Sequence, residues 1–176
     1  PQGGLFLWSA ALSSPLAPYR SAMTDRVHAI VLAAGQGTRM KSALPKVLHP
    51  VAGKPMLGHV LDAAAAAGIG APHVVLGHGA ERVRGWLSTR DNAMPHTVIQ
   101  AQQLGTAHAV SQAMPEVPDT AMVVVLYGDV PLIRADSLRA LVKASQGGLG
   151  VMTAVAADPT GYGRIVRDAQ GRMLRI

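Results

Sequence analysis

Apolar runs that end near glycines alternate along this chain with stretches in which apolar residues recur at helical spacing. The first run, residues 27–34, is apolar almost throughout, which is typical of a strand in the middle of a parallel sheet. We predict strands at residues 27–34, 73–76, 97–100, 122–127 and 151–156. We predict helices at residues 54–67, 81–87, 105–113 and 135–143, and a hairpin between residues 164–167 and 173–176.

This order of elements predicts the fold class. Strands that alternate with helices, with connections long enough for crossovers, indicate a Rossmann-like, doubly wound, mostly parallel α/β sheet. Ligands of such sheets bind beyond the carboxyl ends of the strands. Ala34, Gln100 and Tyr127 end three of the predicted strands, so we expect a binding site where these residues meet.

The first 22 residues lack this pattern. Arg20 is the only charged residue before Asp25, and the apolar stretch is interrupted at residues 13–15. A signal peptide would need basic residues ahead of an unbroken apolar segment, and no membrane span fits. We therefore expect residues 1–22 to be a non-native or disordered leader.

Composition narrows the class of protein. Hydrophobic residues make up 49% of the chain and aromatic residues only 3%, so the core is expected to consist of Ala, Val and Leu. The absence of cysteine excludes a disulfide framework and is compatible with the cytoplasm. A formal net charge of +6 favours anionic partners. Because the cations are scattered, a nucleic-acid surface is the weaker interpretation, and we expect neither a nucleic-acid nor a membrane partner.

The loop after the first strand has the chemistry of a phosphate site. Gly35 and Gly37 allow backbone N–H groups to approach an anion, and Arg39 and Lys46 add two cations. The loop is neither a P-loop, which needs Lys-Ser/Thr after its second glycine, nor a dinucleotide fingerprint, because Met40 replaces the third glycine. Gly-x-Gly alone would also suit a plain turn.

Asp129 follows the predicted strand 122–127 and is a candidate ligand for Mg²⁺, which needs only one or two protein carboxylates beside substrate phosphates. From the residues alone, Asp129 could equally cap a turn with Pro131. The seven histidines lack the paired spacing of a metal site, so we interpret them as structural or surface residues. His78, between two glycines, fits that interpretation least well.

Several motifs together resemble the sugar-nucleotide pyrophosphorylases, and within them the N-terminal uridyltransferase domain of the bifunctional GlmU family. The motifs are LAAGQGTRM at residues 32–40, LPKVLH at 44–49, AGKPM at 52–56, QAQQLGTAHA at 100–109, YGDVPL at 127–132 and DPTGYGR at 158–164. The resemblance covers about residues 23–176 and implies that they form the N-terminal part of a pyrophosphorylase (uridyltransferase) domain. It implies a nucleotidyltransferase that forms UDP-N-acetylglucosamine and pyrophosphate from UTP and N-acetylglucosamine 1-phosphate.

The resemblance also implies a mechanism. A phosphate oxygen of the sugar phosphate would attack the α-phosphorus of UTP in line, assisted by Mg²⁺. This nucleophile is already anionic, so positioning and charge neutralisation would supply the rate. Arg39 would contact the departing pyrophosphate, Lys46 the nucleotide phosphate and Asp129 the metal. The product would supply peptidoglycan and, in Gram-negative bacteria, lipopolysaccharide synthesis.

The remaining implied contacts surround the base and the sugar. The backbone of residues 32–35 and the side chain of Gln100 would contact uracil, whereas Gln103 matches the motif without an assigned role. The full set of implied nucleotide and sugar contacts is Leu32, Ala33, Ala34, Gly35, Lys46, Gln100, Gly105, Thr106, Tyr127, Gly128, Asp129 and Gly163.

The family's catalytic domain continues beyond residue 176, and an acetyltransferase β-helix domain that builds a homotrimer follows it. We therefore expect this chain to lack acetyl transfer, to have little uridyltransferase activity alone, and to be trimeric only in a full-length protein. Two alternatives remain open. One is a nucleotidyltransferase for another sugar phosphate, and the other is a non-catalytic nucleotide-binding fragment.

Overall fold

The computed structural model describes residues 26–37, 40–70, 72–91, 94–145 and 148–175. The predicted leader and Arg39 lie outside the described residues. The strands are β1 (Val27–Ala33), β2 (Pro50–Val51), β3 (Lys54–Pro55), β4 (His73–Leu76), β5 (His96–Ile99), β6 (Met122–Tyr127), β7 (Val166–Arg167) and β8 (Met173–Arg175). The α-helices are α1 (Met56–Ala66), α2 (Ala80–Leu87), α3 (Thr106–Ala113) and α4 (Ala135–Ala144).

Four strands form a parallel sheet in the order β5-β4-β1-β6. In the centre, Ile30 of β1 lies opposite His73 on one side and Val125 on the other. β1 is apolar on both faces because both faces of the sheet are covered by helices. This arrangement confirms the predicted doubly wound parallel fold.

Successive residues of β1 point to opposite layers. Ala29 and Val31 pack with α1, α2 and α4, where Leu57 and Leu138 are fully buried. Ile30 points to the other face and packs with Ala109 and Ala113 of α3. The two layers hold the sheet rigidly between them, so the loops at its carboxyl edge start from fixed positions.

The sequence-based elements agree with the structure in most places. Strands 73–76 and 122–127 have the predicted bounds, and β1 and helices α2, α3 and α4 differ by one residue at one end. The strand predicted at 97–100 lies one residue earlier, as β5. The predicted helix 54–67 is shorter because β2 and β3 form a hairpin through Ala52 and Gly53, both at positive φ. The hairpin near the C-terminal end is also confirmed, between β7 and β8, while Ile176 lies outside the described residues.

The predicted strand 151–156 is wrong. These residues have no regular secondary structure and are exposed, and the side chain of Val155 is fully exposed. A strand needs a partner for its backbone N–H and C=O groups. Among the described residues, β6 pairs only with β1, and an apolar cavity of about 490 Å³ lies between the free edge of β6, α4 and residues 148–152.

In the described part of the chain, no helix combines the length and apolar character needed to cross a membrane.

Candidate functional site

A cavity of about 290 Å³ opens at the carboxyl ends of β1, β5 and β6. Loops that follow these three strands, together with the 3₁₀ turn Lys46–Leu48 and the start of α3, form its walls. The lining residues are Leu32, Ala33, Ala34, Gly35, Lys46, Val47, Gln100, Gln103, Gly105, Thr106, Ala109, Tyr127 and Asp129. The chain segments that the sequence analysis selected therefore converge on one site.

The strand ends approach each other closely because two glycines follow them. A Cβ at Gly77 would lie 2.7 Å from the carbonyl oxygen of Ala34, and one at Gly128 would lie 3.1 Å from that of Leu32. The N–H of Gly128 donates to the carbonyl of Leu32 over 2.9 Å. Larger residues here would push the neighbouring strand ends, and with them the cavity walls, apart.

Lys46 and Asp129 form an ion pair at one side of the cavity. Lys46 Nζ donates to Asp129 Oδ2 over 2.5 Å, and the two side chains are 41% and 29% exposed. Buried Val47 and Leu48 anchor the turn that carries Lys46, and Asp129 lies in the turn directly after β6. A cation and a carboxylate in partial contact with solvent can each take a ligand of opposite charge.

The opposite wall contains a buried amide. Gln100, directly after β5, is only 5% exposed. Its Nε2 lies 3.1 Å from the carbonyl oxygen of Gly105 and 3.0 Å from Nδ1 of His108. Its backbone N–H donates to the carbonyl of Leu76, which fixes the residue to the end of the neighbouring strand. Three protein groups therefore fix the position of Gln100 without any ligand.

Gln103, which had no role in the sequence analysis, joins two walls of the cavity. Its Nε2 donates to the carbonyl oxygen of Ala34 over 2.9 Å, which ties the loop after β5 to the end of β1. The sequence could not predict this contact, because nothing in the motif identifies which distant carbonyl the amide meets. His108 was missed for the same reason.

Two of the predicted site residues that the structure describes, Gly128 and Gly163, do not line the cavity. Arg39 lies outside the described residues. Gly128 lies behind the wall, against Leu32 and Val47. Gly163 belongs to the exposed segment 151–164, so its assigned sugar contact stays a prediction.

Within the described residues, no group of three or more His, Cys, Asp or Glu side chains could hold a metal ion without another ligand. Asp129 contributes one carboxylate to the cavity. A Mg²⁺ ion bound here would have to complete its shell with water and substrate phosphates, as this ion commonly does.

His78 is exposed, and its backbone N–H donates to the carbonyl of Ala34 over 3.4 Å.

A row of histidines lies at the amino ends of the strands, away from the cavity. The rings of His28 and His73 are 5.8 Å apart and those of His73 and His96 are 5.3 Å apart. Burial lowers the pKa of His73, although a contact of 3.2 Å with Glu116 opposes that shift. This row therefore lies at the amino end of the sheet, and none of its three histidines lines the cavity.

Comparison with known proteins agrees with this site. The family model for the MobA-like NTP transferase domain matches residues 29–172. The chain is 58% identical to the bifunctional protein GlmU of Stenotrophomonas maltophilia strain K279a, over 86% of this chain and 32% of that protein. It is 56% identical to the bifunctional protein GlmU of Paraburkholderia phytofirmans, over 84% of this chain and 32% of that protein. The chain thus spans about a third of the length of these curated relatives.

A solved structure extends the comparison to three dimensions. The Mycobacterium tuberculosis H37Rv protein Rv0371C, in complex with manganese, matches 68% of this chain and 59% of its own, with 27% identity and a TM-score of 0.55. The resemblance inferred from the sequence motifs is confirmed by these relatives. Because the family model covers most of the chain, including every described residue that lines the cavity, this chain belongs to the MobA-like NTP transferase family.

Proposed function

We propose that this chain carries the nucleotide site of a uridyltransferase that joins UTP to N-acetylglucosamine 1-phosphate and releases pyrophosphate. The observation that carries the proposal is the pair formed by Lys46 and Asp129 beside a cavity whose other wall presents Gln100. A cation for phosphate, a carboxylate for a divalent metal and an amide for a base are thus adjacent. The identity with GlmU proteins supports the choice of substrates.

The base would lie between the end of β1 and the start of α3. Its neighbours would be the backbone of residues 32–35 and the amide of Gln100, with Gly105 and Thr106 beside them. Gly105 has a φ of 96°, which suits glycine, and no heavy atom lies within 4 Å of the position that a Cβ would occupy there. This open space leaves room for a flat ring to approach the backbone.

The phosphates would lie toward Lys46, whose ammonium group would neutralise part of their charge. Asp129 Oδ2 now occupies one N–H of Nζ, so the ion pair would compete with the phosphates for Lys46. Asp129 would then hold Mg²⁺ or another divalent ion, which supplies charge neutralisation at the phosphates when bound. Arg39 and Gly163 are proposed contacts for pyrophosphate and sugar, respectively.

No protein nucleophile is needed for this reaction. The attacking oxygen belongs to the sugar phosphate and is already anionic, so the side chains bind, orient and neutralise. The new bond joins this oxygen to the α-phosphorus of UTP, and the bond from the α-phosphorus to the bridging oxygen of pyrophosphate breaks. The electron pair of the broken bond leaves with pyrophosphate, so the step balances.

Calorimetric titration with UTP tests the binding part of the proposal. The wild-type chain is expected to bind UTP in the presence of Mg²⁺ and more weakly when the metal is chelated. Asp129→Asn should abolish this metal dependence, whereas Asp62→Asn, which removes a carboxylate outside the cavity, should keep it. UTP binding that is indifferent to metal and to Asp129 would contradict the proposal.

Pyrophosphate release tests the transfer itself. It should be measured with UTP, Mg²⁺ and N-acetylglucosamine 1-phosphate, both in this chain and in a protein extended to the length of its relatives. Release that requires this sugar phosphate and Asp129 would support the reaction. Metal-dependent UTP binding without release in either protein would instead favour a nucleotide-binding module.

A further inference from the structure

The terminal amide of Gln100 has one orientation that its surroundings accept. The carbonyl oxygen of Gly105, 3.1 Å away, can only accept a hydrogen bond. The group that faces it must therefore be the NH₂ of Gln100, because an amide oxygen in that place would put two acceptors in contact. Gly105 thus fixes which end of the amide points into the protein.

His108 takes the second N–H of the same amide. Its Nδ1 lies 3.0 Å from Gln100 Nε2. Because an amide nitrogen only donates, Nδ1 must accept, and the proton of the neutral ring then sits on Nε2. Gln112 Nε2 lies 3.3 Å from that Nε2. Two N–H groups cannot face each other, so this tautomer requires the Gln112 amide to be turned over, with its oxygen accepting from the ring.

The carbonyl oxygen of Gln100 is left for the cavity. Among the described residues, no group donates to Gln100 Oε1, and His49 Nε2 is the only buried side-chain nitrogen or oxygen without a partner. Gln100 as a whole is 5% exposed, and Oε1 is the end of its amide to which no described group hydrogen-bonds. Since Gln100 lines the cavity, this oxygen is presented to whatever enters it.

We propose that His108 is a positioning residue for base selection, which acts by holding the amide of Gln100 so that its carbonyl oxygen faces the ligand. The inference rests on the proposed function, since it concerns the same cavity. His108 itself does not line the cavity. It acts through Gln100 alone, and this separates it from the residues that would touch the nucleotide.

The consequence is a preference between pyrimidines. Uracil carries an N–H between two carbonyl groups, whereas cytosine has an unprotonated ring nitrogen at that position. An acceptor oxygen on Gln100 matches the N–H of uracil and repels the lone pair of cytosine. An inverted amide would point its oxygen at the carbonyl oxygen of Gly105, and the His108 ring would have to move its proton from Nε2 to Nδ1 to donate to it. Without His108, one buried N–H of the Gln100 amide loses its partner in the native orientation. The free-energy cost of inverting the amide therefore falls.

Two variants of equal size separate this role from packing. His108→Asn can keep an acceptor oxygen near the position of Nδ1. In His108→Leu, the leucine has nearly the shape of that asparagine but no acceptor. Calorimetric titrations with UTP and CTP in Mg²⁺ give the ratio of the two affinities for each protein. We expect wild type and His108→Asn to prefer UTP with similar ratios, and His108→Leu to lower the ratio by about tenfold.

The alternatives give different results. An unchanged ratio in His108→Leu, or an equal loss of affinity for both nucleotides, would overturn the positioning role and leave the proposed function standing. A wild-type chain that binds neither nucleotide would overturn both. If His108→Leu does not fold, ¹⁵N NMR of wild-type His108 decides: an unprotonated Nδ1 supports the inference, and a protonated Nδ1 contradicts it.

Discussion

Lys46 Nζ lies 2.5 Å from Asp129 Oδ2, so the loop after β1 and the turn after β6 meet in one ion pair. The two groups would bind a phosphate and a metal in the proposed reaction. In the free chain, the pair would therefore compete with both proposed ligands. Metal and nucleotide would separate them together, because a metal alone would have to compete with Lys46.

Lys46→Met should strengthen binding of Mn²⁺ to the nucleotide-free chain by about threefold to fivefold, because an exposed ion pair of this kind contributes up to about 1 kcal/mol. The same change should weaken UTP binding. Electron paramagnetic resonance of free Mn²⁺ measures the first effect. Lys54→Met is a matched control, since Lys54 makes a 2.5 Å pair with Asp62 outside the cavity. Unaltered Mn²⁺ binding in Lys46→Met would show that the pair does not compete.

Gly77→Ala should weaken nucleotide binding and lower the free energy of unfolding by about 1–3 kcal/mol, the usual cost of overpacking. The added Cβ would meet backbone and side-chain atoms of Ala34, the nearest at 2.7 Å. Urea unfolding and UTP titration measure the two effects. Gly85→Ala is the control, because α2 leaves that position open, and it should stabilise the chain by roughly 0.5–1 kcal/mol. Equal behaviour of the two variants would contradict the steric argument.

The fold could be predicted largely from apolar periodicity, and the failures have physical causes. Residues 122–127 form a strand with the predicted bounds, because an apolar run there ends directly at Gly128 and Asp129. Residues 151–156 carry similar apolar residues but remain unpaired, since periodicity cannot supply a neighbouring strand. Pro55 was placed inside a helix because its fixed φ suits a first helical turn, but it closes a hairpin just before that helix.

Motifs predicted which segments form the candidate site but not how the side chains are connected. Lys46, Gln100 and Asp129 were selected from the sequence, and all three line one cavity. The contact of Gln103 with Ala34 and that of His108 with Gln100 depend on tertiary geometry, which the order of residues in a loop does not reveal.

The free energy of unfolding should fall as the pH drops below about 6.5, the ordinary pKa of His73. Burial lowers the pKa of His73 in the folded chain, with His28 and His96 contributing, and Glu116 opposes the shift. The unfolded chain therefore binds more protons between that lowered pKa and 6.5, so this contribution is complete above 6.5 and is lost on acidification. Urea unfolding across this range should show a flatter dependence on pH for His73→Val than for the wild type.

If His73→Val keeps the full dependence on pH, the buried histidine is not its source.

Val125→Lys should reduce aggregation with little loss of stability. Val125 is 41% exposed on β6, whose outer edge has no partner strand among the described residues. Edge strands with charged side chains pair less readily with other chains. Light scattering during incubation measures the effect, and Glu81→Gln, exposed on α2, controls for the same increase of one unit in net charge. If both variants reduce aggregation equally, the net charge and not the edge of β6 accounts for the effect.

The pairing of β1 with β6 also determines when the site can exist. β1 is the first strand of the sheet, yet one of its two neighbours is β6, which is reached only after β4, β5 and the helices between them. Contacts between residues so distant in sequence form slowly, because a long loop must close before they gain any stability. During synthesis, Lys46 emerges from the ribosome well ahead of Asp129, and one flank of β1 stays open until residue 127 has followed. The pocket thus cannot be completed until Asp129 has been synthesised and β6 has paired with β1.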